Sequence, residues 1–89
     1  MTGGIKHIKK FRPEQTLAVN TEYFATCDGI VEALSGGSSL SFLRDDTPTP
    51  TTLRQYAEAN NTLVGVIRKG TYWKIYSVGT ATIFFTENR

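Results

Sequence analysis

Apolar residues in the first half of the chain recur at helical intervals. Tyr23, Phe24, Cys27, Ile30, Val31 and Leu34 are separated by steps of one, three and four, which predicts an α-helix over about residues 21 to 35 with all six on one face. Asn20 or Thr21 can cap its first N–H groups, Glu22 suits the positive end of the helix dipole, and Gly36-Gly37 supplies a left-handed stop. Gly29 interrupts the stripe. Inside a helix it costs about 1 kcal/mol against alanine, so it signals a close backbone contact or a bend.

The flanking segments follow strand patterns. Ile5 to Phe11 has the β-branched and aromatic content of a short edge strand with lysines on it, ended by Pro13, and residues 1–4 form a loose start. Ser39 to Leu43 alternates, with Leu40 and Phe42 inward. Pro48 and Pro50 then force an extended loop from Arg44 to Thr51. A short second helix follows. Thr52 and Gln55 have capping-box spacing, Leu53, Tyr56 and Ala57 supply its buried stripe, and Asn60-Asn61 ends it.

The final third predicts three strands, Thr62 to Arg68, Thr71 to Ser77 and Thr80 to Glu87, joined as an antiparallel meander. A three-residue loop at Arg68-Lys69-Gly70 sets Gly65 opposite Trp73, leaving space for the indole, with Leu63, Ile67 and Ile75 on the same face. Tyr72, Lys74 and Tyr76 take the other. The last strand, Ala81 to Phe85, is apolar toward both faces, where a strand with one wet face alternates, which points either to helices on one face and another chain on the other or to a strand end tucked under a loop. The order β-α-β-α-β-β-β predicts an α+β two-layer sandwich with two helices on one face of a mixed sheet, and 89 residues suffice for one small domain. A strand, an Asp-Asp-x-Pro loop, a short helix and two strands resemble small sulfur-carrier proteins of the tRNA thiolation relay. The Cys-Pro pair on which that chemistry depends is missing, and no family is assigned.

Composition narrows the chemistry. No apolar run reaches the 18 or so residues that span a bilayer, and the N-terminus lacks the apolar core of a signal peptide, so a cytoplasmic protein without membrane contact is expected. A lone Cys27 and a lone His7 exclude an intrachain disulfide and a Cys/His zinc module. A net charge of +2 is too small to imply duplex nucleic-acid binding, although Lys6, Lys9, Lys10 and Arg12 cluster around His7.

The remaining candidates divide between chemistry and plain structure. Cys27 on an apolar stripe is expected to be a buried small hydrophobe, and His7 among lysines lacks the partner of a general base. Asp45-Asp46 lacks a third ligand for a cation and suits a turn, and Gly36-Gly37-Ser38-Ser39 follows a helix, where phosphate is repelled. Thr47, Thr49, Thr51 and Thr52, with Arg54 one turn on, suit an ordinary capped loop and also have the geometry of an anion site at a helix start. Tyr72-Lys74-Tyr76 presents alternating aromatic and cationic groups suited to a protein interface or to stacked bases. With no triad, metal cluster or nucleotide motif, the expected function is a non-catalytic interaction module: an adaptor, inhibitor or structural subunit. It needs no cofactor, and it uses Tyr72, Lys74, Tyr76 and Phe84 to hold a protein partner or a second copy. The alternative is an anion binder for nucleotide or single-stranded nucleic acid, using Lys9, Lys10, Arg12, Arg54 and the tyrosine face.

Overall fold

Val31 and Ala33 point one way from the backbone of residues 29–35 and are fully buried, while Ile30, Glu32 and Leu34 point the other way and are exposed. That is a period of two, the signature of a strand. The computed structural model describes residues 5–8 and 17–87. Its regular elements there are all strands: β1 (Ile5–Ile8), β2 (Glu22–Ala25), β3 (Gly29–Ser35), β4 (Leu40–Asp45), β5 (Leu53–Ala57), β6 (Thr62–Ile67), β7 (Tyr72–Tyr76) and β8 (Ala81–Glu87). They form a five-stranded sheet, β1-β2-β7-β4-β5, and a three-stranded sheet, β6-β3-β8. Every pairing is antiparallel except β1 with β2. Among the described residues there is no helix, so the fold is an all-β sandwich and the α+β expectation is corrected.

The first predicted helix is two strands in different sheets, joined by residues 26–28. Helical spacing misled because the stripe mixes two sides of the backbone. Tyr23 and Val31 enter the core, whereas Ile30 and Leu34 face out, four residues apart, which is two strand periods as well as about one helical turn. Gly29 marks a close approach between strands. A Cβ there would meet the Thr86 carbonyl and lie 2.6 Å from the Phe85 ring.

The second predicted helix is β5, paired antiparallel with β4 across a bulge at Phe42/Leu43. The N–H groups expected to begin it are occupied by the chain itself: Thr51 N and Thr52 N donate to Asp45 Oδ2 at 2.7 and 2.9 Å. Losing these helices also removes the likeness to sulfur carriers.

The predicted meander is also corrected, because consecutive strands alternate between sheets. β6 and β8 both pair with β3, while β7 lies between β2 and β4. The β6–β7 link is therefore a crossover tied to the β2–β3 connection. Gly70 N donates to Ala25 O at 2.8 Å, Lys69 N to Asp28 Oδ1 at 2.7 Å, and Gly70 adopts φ 87°. Leu63, Ile67, Trp73 and Ile75 all point inward. The space at Gly65, however, holds Phe42 rather than Trp73; a Cβ at Gly65 would lie 2.8 Å from the Phe42 ring.

The core is aromatic at its centre. Trp73 stacks on Tyr23 with centroids 4.8 Å apart and meets Phe42 at 6.1 Å, and the buried Trp73 indole N–H has no acceptor among the described residues. Asn20, at φ 60°, grips Ser77 through both amide atoms, with Nδ2 donating to Ser77 O at 2.8 Å and Oδ1 accepting from Ser77 N at 3.1 Å. This anchors the segment that carries Leu17 into the core.

Asp45 holds the proline loop. A hydrogen bond from the Thr52 side chain, then the two N–H groups, and last Arg54 favour its charged form, and its pKa is lowered to about 2. An ordinary aspartate in the unfolded chain titrates near 3.9. The folded value is the lower one, so its stabilising contribution is complete above about pH 4 and disappears as pH falls through about 2. Asp45→Asn is expected to flatten the wild-type loss of stability between those values, as read from urea midpoints measured along a pH series.

Candidate interaction faces

β-strands with one wet face are expected to be polar there. Neither sheet of this sandwich follows that rule. On the five-stranded sheet, cross-strand register builds three rows facing away from the core. Phe24 of β2 lies beside Tyr72 of β7 and then Asp45 of β4; Lys74 lies beside Leu43 and then Leu53; Tyr76 lies beside Ser41 and then Tyr56. Phe24 and Tyr72 are in ring contact at 4.9 Å. Leu53, Tyr56 and Tyr76 are each about half exposed. Two strand spacings, roughly 10 Å, separate the strands bearing Tyr56 and Tyr76, and the small Ser41 lies between them.

The outer face of the three-stranded sheet is aliphatic. Ile30, Leu34, Val64, Val66 and Phe84 are 45–50% exposed, and Glu32 sits among them with Val64 on one side and Phe84 on the other. A hollow of about 270 Å³ at one end, lined by Asp28, Ile30, Val66 and Arg68 among others, is continuous with this face. It is smaller than the roughly 300–1,000 Å³ of small-molecule sites.

These placements divide the residues singled out in the sequence. Tyr72, Lys74 and Tyr76 share one surface, but Phe84 belongs to the other sheet and the opposite side of the sandwich. Arg54 is engaged internally: Nε donates to Arg44 O at 2.9 Å and Nη2 lies 3.5 Å from Asp45 Oδ1. Lys9, Lys10 and Arg12 lie outside the described residues. Spacing puts Phe24, Leu53 and Tyr56 on helical stripes and Leu43 on the side of its strand opposite Leu40 and Phe42, and only register places the four in rows with Tyr72, Lys74 and Tyr76. The β-propensity of tyrosine was the one available hint.

Cys27 lies in the β2–β3 connection, packed partly against the core. Burial pushes its thiol pKa up, helped by the Glu87 and Asp28 carboxylates and opposed by Lys69. The environment therefore disfavours the nucleophilic thiolate. Among the described residues no three His, Cys, Asp or Glu side chains gather in a way that could hold a metal ion, and no helix is long and apolar enough to cross a membrane. Comparison with protein-family models, with curated proteins and with solved structures finds no match to this chain.

Proposed function

We propose that the chain is a non-catalytic protein-interaction module whose recognition surface is the tyrosine-rich outer face of the five-stranded sheet. The observation that carries this reading is the clustering of Tyr56, Tyr72, Tyr76, Leu43, Leu53 and Lys74 on one sheet surface. Tyrosine gives large contact area at small entropic cost and is enriched among the residues that dominate binding energy. A pleated sheet holds such side chains in fixed register, so little order is lost on association.

A row of Tyr, Lys and Tyr is also a shape on which bases stack. Phosphate neutralisation, which dominates nucleic-acid affinity, argues against that use here. Among the described residues Lys74 is the free cation of the face, Asp45 shares that face one row away, and Arg54 is already tied to Asp45. A protein partner therefore fits better than a nucleic acid.

Tyr56→Ala with Tyr76→Ala tests the reading. These side chains are half exposed, so stability is expected to change by no more than about 0.5 kcal/mol each. Capture of a partner from the cells that encode the chain is expected to weaken at least about thirtyfold, the scale of one interface hot spot. Thr51→Ala, in the proline loop, serves as a control expected to capture normally. Equal capture by all three proteins would overturn the reading, as would a gel shift of single-stranded RNA that depends on Tyr76.

A further inference from the structure

Sheet edges offer unpaired N–H and C=O groups, and monomeric proteins guard them with lysine, proline, bulges or covering side chains. Three of the four edges here carry such a feature. β1 has Lys6 in its sequence, β5 pairs through a bulge, and Arg44 reaches from β4 to donate through Nη1 to the Val66 carbonyl on the outer side of β6. β8 differs. Its seven residues, Ala-Thr-Ile-Phe-Phe-Thr-Glu, pair with β3 in unbroken register, contain no lysine, arginine or proline, and carry their one charge, Glu87, at the last position, leaving the span from Ala81 to Thr86 without a guard. Among the described residues nothing besides β3 bonds to its backbone.

Register also identifies which groups face that open edge. Gly36 N donates to Thr80 O at 2.9 Å, so Thr80 turns its polar groups toward the β3 side. By alternation Thr82, Phe84 and Thr86 bond to β3, and Ala81, Ile83, Phe85 and Glu87 point their N–H and C=O groups outward. The other side of β3 agrees, because Ser35 N donates to Asn61 O there and Val66 O is the outward group that Arg44 caps.

We propose that β8 is a self-pairing edge, joining two copies of this chain in antiparallel register about a two-fold axis at Phe84. That axis sets Ala81 against the partner's Glu87 and Ile83 against the partner's Phe85, and the reverse, so every outward backbone group of the strand finds a mate. It also sets Phe84 beside the partner's Phe84, and Thr82 beside the partner's Thr86, on the outer face. Aromatic and threonine pairs at such positions are favourable. No like charges are opposed in this register, since Glu87 meets Ala81.

Charge selects edge pairing over stacking of the two aliphatic faces. Stacking would bury Glu32 without a counter-charge, at a cost of several kcal/mol per ion. Edge pairing leaves Glu32 in water, about 14 Å (three strand spacings) from its copy, which is beyond the roughly 8 Å Debye length at physiological salt. One added strand buries less than the roughly 1,200 Å² of a standard interface, so the dimer forms in a concentration-dependent way. The proposal is independent of the tyrosine face, which lies on the other sheet.

Sedimentation equilibrium from about 1 μM to 1 mM, the range of weak interfaces, is the first test. The wild type is expected to pass from monomer to dimer. Phe84→Glu and Phe84→Lys, each opposing like charges across the axis, are expected to raise the dimer Kd at least about tenfold, and their mixture to restore pairing. Register is read by mild oxidation in a Cys27→Ser background. Phe84→Cys is expected to cross-link to itself, because directly opposed Cα atoms at such a pair lie about 4.5 Å apart, within disulfide range. Thr82→Cys is expected to cross-link only when mixed with Thr86→Cys. A strict monomer at 1 mM, a dimer indifferent to Phe84→Glu, or cross-links in another register would overturn the proposal while leaving the tyrosine-face reading untouched. If the charged variants fail to fold, the threonine-to-cysteine pair still decides.

Discussion

Gly65→Val is expected to cost about 3 kcal/mol or more, the upper end of what overpacking a core does. Gly65 is on the inner side of β6, and a Cβ would already lie 2.8 Å from Phe42. Phe42 is fully buried and cannot swing aside, because Trp73 and the opposing sheet hold it. Valine adds two further methyl groups to that contact. Small domains are stable by roughly 0.05–0.15 kcal/mol per residue, so the change removes a large share of what 89 residues provide. The check is a urea melt followed by far-UV circular dichroism. Adding Phe42→Leu to Gly65→Val is expected to recover part of the loss, because the clash is with the ring. No recovery would mean that the two residues do not meet.

Trp73→Ala is expected to be comparably severe, at about 3–5 kcal/mol, from lost burial plus the cavity left behind. The indole is fully buried between Tyr23 and Phe42, at the point where the two sheets share their core. Trp73→Phe separates two effects. It keeps most of the apolar volume and removes a buried indole N–H that has no acceptor among the described residues. Such an unsatisfied donor costs about 1–3 kcal/mol, so its removal offsets much of the smaller cavity. Trp73→Phe should therefore melt far closer to wild type than Trp73→Ala, and equal melting points would show that the N–H has a partner.

Inside and outside were legible in the sequence over the last third of the chain, where Leu63, Gly65, Ile67, Trp73 and Ile75 alternate and all point inward. Sheet membership was not. A period of two reports which face a side chain takes, while the choice of partner strand depends on contacts far along the chain, such as Phe42 against Gly65. The first helix was misread for a physical reason that bears on function. Ile30 and Leu34 flank Glu32 on the exposed side of β3, and with apolar residues at two of those three outward positions the strand alternation of residues 29–35 is hidden. Likewise, Tyr56 and Leu53 imitate the stripe of a short helix because both lie on the outer face of β5. Large outward apolar residues thus obscured the secondary structure and mark the candidate surfaces. The Tyr72-Lys74-Tyr76 row was visible from its spacing alone, but its extension to Leu43 and Tyr56 required register across β4 and β5.

Site-specific photocross-linking measures most directly whether the tyrosine face is a contact surface in the cell. A benzophenone side chain placed at Tyr76, on that face, is compared with one at Val78, which is more exposed but lies in the β7–β8 turn. A discrete heavier adduct from position 76 and none from position 78 is the expected result, because recognition follows the ordered tyrosine surface rather than exposure. Adducts of equal yield from both positions, or none from position 76, would contradict it.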